Sequence, residues 1–218
     1  MLKIKTIQIL LTCMVLVFVL SGCSGTQSTT IGDDALVLKK TGVMFVAGED
    51  IEYRVKSYYI NQAMAHYYIP YEVKYDYPII MVPGGALSAN IYRFTPDGRE
   101  GWASIFARAG FEVYVLEPPG YVSQSVDVTL LKDAIAGEDP DPYSPSITKW
   151  SQEFVWTRWG LGPEFGLGFE GGQFPVEHVD ELFKSFPVTF SLSGGDASDV
   201  NSEVKADGIA AMLGEVGP

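Results

Sequence analysis

From Ala35 to Ile80, apolar and polar residues change places at nearly every second position. The runs "ALVLKKTGVMFVAG", "IEYRVKSYYI" and "AMAHYYIPYEV" are rich in Val, Ile and Tyr and are separated by turn residues, which predicts strands. In the third run Met64, His66 and Tyr68 share one face and Ala65, Tyr67 and Ile69 the other, so the chain opens in antiparallel fashion. The next run, "YPIIMV", does not alternate and reads as a strand buried on both faces. A turn-rich "TPDGREG" leads into "WASIFARAG", where Trp102, Ile105, Phe106 and Ala109 recur at helical spacing and Gly110 stands as a C-cap. "FEVYVLEPPG" then gives a second strand that ends at Glu117 against two prolines. Strand, helix and strand in this order predict a parallel βαβ unit, and the fold class is α/β with an antiparallel leading edge.

The pattern changes between residues 123 and 190. "GEDPDPYSPS" reads as a loop, and "WSQEFVWTRWGLGPEFGLGFEGGQFP" gathers three of the four tryptophans among many glycines with no regular period. This segment is expected to be an insertion that acts as a lid or packs the sheet edge. "VEHVDELFKSF" predicts a short helix. "VNSEVKADGIAAMLGEVG" predicts a last helix with Val204, Ile209, Met212 and Leu213 inward and Gly214 near its end. No internal repeat is present.

Ahead of all this lies a segment of another kind. Lys3 and Lys5 precede the uncharged run "ILLTCMVLVFVL", the basic and apolar parts of an export signal that is too short to span a bilayer comfortably. The "LSGC" that follows resembles the lipobox of bacterial lipoproteins. That resemblance implies removal of residues 1–22, acylation (palmitate among the chains) of Cys23, and a lipid anchor in the bacterial cell envelope, outside the cytoplasm. "SGTQSTTIGDD" then makes residues 23–34 a flexible tether, and the folded part runs over 35–218. Since Cys13 falls in the removed segment, Cys23 is the only cysteine left, which excludes an internal disulfide and cysteine chemistry. A formal net charge of −12 opposes binding to phosphate backbones, so nucleic acid is not an expected partner.

Candidate chemistry is sparse. No phosphate-binding loop, dinucleotide fingerprint or metal-ligand spacing occurs, and no cofactor is expected. His66 reads as a strand histidine among tyrosines, His178 as a surface residue beside Glu177 and Glu181. Glu138, Asp139 and Asp141 read as a solvated acidic loop in preference to a calcium site.

Three stretches carry a further resemblance. "YPIIMVPGG", "TPDGREGWASIFARAGFEVYVLEPPG" and "FPVEHVDELFKSF" look like the N-terminal half of secreted α/β-hydrolase esterases, over roughly residues 43 to 218. The resemblance implies that Gly84-Gly85-Ala86 form the oxyanion loop, with the backbone amides of Gly85 and Ala86 as donors and Pro83 in place of the family's histidine. Glu117 replaces an aspartate and Val122 a glycine of the family pattern. Such an enzyme needs a serine on a G-x-S-x-G elbow, then an acid and a histidine. No G-x-S-x-G occurs in the 218 residues; "SLSGG" around Ser193 has Ser191 for the first glycine and is not expected between a strand and a helix of the right order. Both histidines lie upstream of where the family's would fall. The expectation is an α/β-hydrolase relative whose complete form cleaves carboxylic esters, in a chain that stops short of its nucleophile and is inactive alone. The alternative is a lipid-anchored binding protein that uses the hydrolase-like pocket for a small-molecule ligand.

Overall fold

Two long strands, β1 (Leu38–Tyr53) and β2 (Lys56–Pro70), form an antiparallel hairpin that dominates the first third of the molecule. The computed structural model describes residues 34–85, 87–120, 127–137, 144–193 and 197–217. The signal segment, the tether up to residue 33, Cys23, Ala86, Val122 and the acidic Glu138, Asp139 and Asp141 lie outside the described residues. Residues Leu36–Pro218 make up one compact unit.

Sequence pattern predicted three strands here, and the structure has two. The chain turns at Arg54 and Val55, both at positive φ (50° and 59°), which is the backbone twist that a two-residue hairpin turn requires. Neither residue belongs to the Gly, Asn and Asp set that favours this conformation, so the turn is silent in the sequence. The breaks expected near Gly48 and Asn61 are instead kinks inside paired strands. Ala47, Gly48 and Asn61 have φ of 56°, 89° and 59°, and pairing continues on both sides, Ala47 with Gln62 and Glu49 with Ile60.

β4 (Val113–Glu117) pairs antiparallel with β2, Met64 opposite Glu117, and β3 (Ile79–Met81) pairs parallel with β4, Ile79 opposite Val113. The sheet order is β1-β2-β4-β3, and the expected parallel unit is present. Between β3 and β4 lies α1 (Trp102–Ala109), closed by Gly110 at φ 106°, whose N–H reaches the carbonyls of Phe106 and Ala107. Its inward face differs from the expected one. Trp102, Ile105 and Ala109 are exposed and Phe106 is half-buried, while Ala103 and Ala107 are fully buried against the sheet. Small side chains let the helix sit close, and the larger ones are left at its flanks.

The sheet carries a core on each side. Met81, Ala89, Ala103, Ala107, Val113 and Val115 pack on the α1 side. Val46, Ala63, Ala65 and Leu116 pack on the other, against Met212 of the last helix, α5 (Ala197–Val216). α5 approaches the sheet at Gly208, where a Cβ would lie 2.9 Å from Pro119 Cδ and 3.3 Å from Ala63 Cβ. Of the four residues expected inward on α5, Met212 is buried, Val204 and Ile209 are half-buried, and Leu213 is exposed.

The 123–190 region is more regular than its composition suggests. It contains α2 (Val128–Ala136), β5 (Ser144–Thr148), α3 (Gln152–Trp159), a 3-10 turn (Val176–His178), α4 (Val179–Ser185) and the start of β6 (Thr189–Ser193). α3 escapes a periodicity search because its ends, not its apolar face, define it. The Ser151 hydroxyl accepts from the Phe154 N–H, and Gly160 at φ 59° closes the last turn. Val155 and Trp156 then pack with Phe183 and Phe186 of the α4 segment into a third core. β5 and β6 form a separate two-stranded antiparallel sheet.

Candidate functional site

The glycine loop begins where β3 ends. Met81 and Pro83 are buried, Gly84 and Gly85 are exposed, and the Leu87 N–H donates to the Gly84 carbonyl at 3.1 Å. The chain then enters a 3-10 helix, Ala89–Tyr92, capped by Ser88, whose hydroxyl accepts from the Asn90 N–H at 3.2 Å. Neither Gly84 nor Gly85 is among the positive-φ glycines. A Cβ on Gly85 would meet nothing within 4 Å, and one on Gly84 only Leu87 Cδ1 at 3.7 Å. Backbone conformation therefore does not demand glycine at either position. What two glycines provide here is open approach to the main chain.

Two anchors hold the helix that follows the loop. At its start, Glu117 Oε2 accepts from the Ala89 N–H at 2.9 Å and from the Ser88 hydroxyl at 3.4 Å. Glu117 is 5% exposed, and its Oε1 is buried without a hydrogen-bond partner among the described residues. Burial pushes its carboxyl above the ordinary glutamate range, against the opposing pull of the Ala89 and Ser88 hydrogen bonds and the Arg93 charge. At the helix's far end, Gly101 lies against backbone: its Cβ would be 2.4 Å from Tyr92 O and from Arg93 C, and its N–H donates to Arg93 O at 3.2 Å.

The "TPDGREG" motif builds that second anchor. Thr95 N–H donates to Arg99 O at 3.1 Å, Gly98 turns the chain at φ 80°, and Asp97 accepts from the Thr95 hydroxyl at 2.5 Å and from Arg99 Nε at 2.6 Å. Those two hydrogen bonds lower the Asp97 pKa to about 2. Glu100 takes a bidentate pair from Arg108 at 2.5 and 2.6 Å, tying the turn to α1. The motif is a bracket for the loop's helix, and its charges face one another.

Around the anchors, Arg93 Nε donates to the Tyr68 hydroxyl at 3.1 Å and the Tyr92 hydroxyl donates to Val82 O at 2.8 Å. His66 lies half-buried on β2, opposite Val43 and Val115, and burial together with the Arg93 charge lowers its pKa. His178 is exposed on its 3-10 turn. Leu87 packs against the third core, so the glycine loop abuts the 123–190 region. In that region Lys149, Trp150, Val155, Phe183, Lys184 and Phe186 line a concavity of about 340 Å³.

Ser193 has, contrary to expectation, a strand before it and a helix after it, β6 and α5. β6 belongs to the separate two-stranded sheet and runs antiparallel there, so this is not a strand of the main sheet turning into a helix. Among the described residues no group of three or more His, Cys, Asp and Glu is placed to hold a metal, and no helix is long and apolar enough to cross a membrane. Sequence reading singled out the loop but gave Glu117 no partner. The signal was an acidic residue at the end of an otherwise apolar strand, where a charge needs a reason.

In fold, the chain is similar to an esterase. It matches a structure described as a novel bacterial esterase with a TM-score of 0.65 and 28% identity, over 71% of this chain and 52% of the other. A curated relative, a "Probable secreted lipase" from a fungal species (strain ATCC 74256), is 40% identical over 50 residues, 23% of this chain and 14% of the lipase. The chain thus spans about half the length of the esterase and a much smaller part of the lipase. No family model matches.

Proposed function

We propose that this chain supplies the oxyanion side of a carboxylic ester hydrolase of the α/β-hydrolase type. The observation that carries the reading is the loop after β3: two exposed glycines that neither turn geometry nor packing requires, followed by a helix anchored at both ends. In such a reaction a serine attacks the ester carbonyl, a histidine moves the proton, and backbone N–H groups hold the oxyanion of the tetrahedral intermediate. Gly85 and Ala86 are assigned as those donors, with Pro83 and Gly84 shaping the approach; each is worth ~3 kcal/mol in the transition state. The 123–190 region, against which Leu87 packs, is assigned as the lid that selects the acyl or alcohol part. Similarity to an esterase and to a lipase supports the reaction class.

The sequence holds no G-x-S-x-G, so this chain by itself is assigned no turnover. Purified residues 23–218 are expected to hydrolyse p-nitrophenyl butyrate at the background rate; turnover abolished by a fluorophosphonate would overturn that. The loop assignment has its own test. Methylphosphonate, a small tetrahedral anion, is expected to move the Gly85 and Ala86 amide signals in a saturable way, and unmoved signals would refute it. The relative named as secreted supports an extracytoplasmic location, and the "LSGC" sequence supports a lipid anchor at Cys23. Palmitate labelling that persists in a Cys23→Ala variant would overturn the anchor.

A further inference from the structure

The end of the sheet opposite the glycine loop carries a surface that the proposed reaction does not use. β3 and β4 run parallel, so the glycine loop leaves the C-terminal end of the pair, while the segment that enters β3 lies at the other end. That segment, residues 71–77, is exposed throughout, and it includes Tyr71, Val73, Tyr75 and Tyr77. Tyr71 and Tyr77 are 71% and 68% exposed. Apolar residues scattered over a surface need no explanation, whereas several on one short segment mark a contact surface.

The segment is backed by the fold. Tyr75 stacks on Phe111 with 3.8 Å between ring centroids, the Lys74 N–H donates to the Gly110 carbonyl at 2.9 Å, and the Lys74 side-chain carbons lie against Gly110. The Tyr71 N–H donates to the Val37 carbonyl at 3.0 Å, so the same surface borders the point at which the chain enters the compact unit.

What this surface faces follows from the chain ahead of it. Val37 is the fourteenth residue after Cys23. A polar chain of that length spans about 20 Å on average and at most about 50 Å, against a diameter of roughly 40 Å for a unit of this size. A lipid on Cys23 therefore keeps the Val37 end of the fold nearest the bilayer. Tyrosine suits that place, since its ring is apolar and its hydroxyl stays hydrated at headgroup depth. Glu72, Lys74 and Asp76 stand between the apolar residues, and the whole chain carries −12, so the fit is to zwitterionic headgroups and not to an anionic surface.

We propose that residues 71–77 are the membrane-facing surface of this chain, resting in the headgroup layer of a zwitterionic bilayer through Tyr71, Val73 and Tyr77. This rests on the reading of Cys23 as a lipid anchor. It turns the glycine loop to the aqueous side, so the ester that the loop serves arrives from water and not from the lipids of the bilayer.

The test is site-directed fluorescence of the full chain, expressed with its export signal and added to preformed phosphatidylcholine vesicles. With Cys13 removed and Cys23 acylated, an introduced cysteine is the only free thiol of the mature chain. Labels on Tyr71→Cys and Tyr77→Cys are expected to lose emission to a doxyl-labelled phosphatidylcholine and to be shielded from aqueous iodide. A label on Gly85→Cys is expected to do the reverse. Should Tyr71→Cys fail to fold, Val73→Cys takes its place. The proposal is overturned if the two ends respond alike, or if the Tyr71 and Tyr77 labels stay open to iodide. Shielding that appears without vesicles and grows with protein concentration would overturn it in favour of a second copy of the chain. Failure of the anchor reading looks different: Cys23 takes up no palmitate and the chain does not float with the vesicles, which removes both readings. A palmitate-bearing chain whose Tyr77 label stays in water removes the membrane-facing surface alone.

Discussion

Replacing Gly101 by alanine tests whether the bracket behind the glycine loop is as tight as its geometry states. The added Cβ would lie 2.4 Å from Tyr92 O, 2.4 Å from Arg93 C and 2.5 Å from Phe94 N, where side-chain carbons essentially never come within 3.0 Å. At least 0.6 Å must therefore be found, and every atom met is main chain. Nothing there can swing aside as a side-chain tip would. The Arg93 carbonyl is itself bonded to the Gly101 N–H, and the intervening turn is closed by the Thr95, Gly98 and Arg99 backbone bonds, so relief means opening the bracket. Forcing volume into such a site costs about 3 kcal/mol, and the reduced entropy of the unfolded alanine chain returns roughly 0.5 to 1. The net loss is about 2 kcal/mol, and for a unit of this size that lowers Tm by roughly 4–8 °C. Urea unfolding followed by tryptophan fluorescence reads it, with an unchanged m-value required for the comparison. Gly85→Ala is the matched control: with nothing within 4 Å and no positive φ, it is expected to lie within about 0.5 kcal/mol of the wild type or slightly above it. Equal stability of the two variants would refute the close-approach reasoning.

Further predictions follow from other parts of the structure. His66 has a lowered folded pKa, from burial first and Arg93 second, so the unfolded chain takes up its proton before the folded one. The wild type is therefore expected to lose stability relative to His66→Gln as pH falls below about 6.5, and urea midpoints that stay parallel from pH 7.5 to 5 would contradict this. Glu117 acts in the opposite sense: its folded pKa is raised, the folded chain keeps its proton longer, and the Glu117→Gln variant should gain on the wild type as pH rises above about 4.5. Gly208→Val would drive α5 off Pro119 and Ala63, with an expected loss of about 3 kcal/mol in chemical denaturation. Glu100→Gln removes a half-exposed bidentate pair with Arg108; a small drop in the urea midpoint is expected, and ~1 M salt should shrink it further.

Much of this architecture was legible because the sequence announces it with period and punctuation. β3, α1 and β4 follow from an unbroken apolar run, a helical spacing closed by Gly110, and an apolar run stopped by Pro118 and Pro119. The errors have physical causes. Spacing identified α1 but chose its large residues as the buried face, whereas a helix lying close on a sheet buries its alanines. The turn at Arg54-Val55 uses residues that carry no turn preference, and Asn61, which does carry one, sits inside a strand. α3 was hidden because its aromatic residues point to several partners, Trp156 inward and Trp159 toward Trp150, so no single stripe forms. At the candidate site, the loop was readable from its glycines, but the Glu117 anchor joins residues 28 and 29 positions apart and leaves no local pattern.

The hairpin has a meaning in time as well as in space. β1 and β2 meet across a two-residue turn, so their pairing closes almost no loop and asks nothing of the remaining chain. Hairpins of this kind form in about 1–10 μs, whereas β4 must come back across more than forty residues to reach β2. As the chain leaves the ribosome, the hairpin has time to pair before β4 exists. Ala63 and Ala65 then stay uncovered until α5 has been made and reaches them. The glycine loop emerges in that interval, ahead of the Glu117 carboxyl that will accept from the Ala89 N–H.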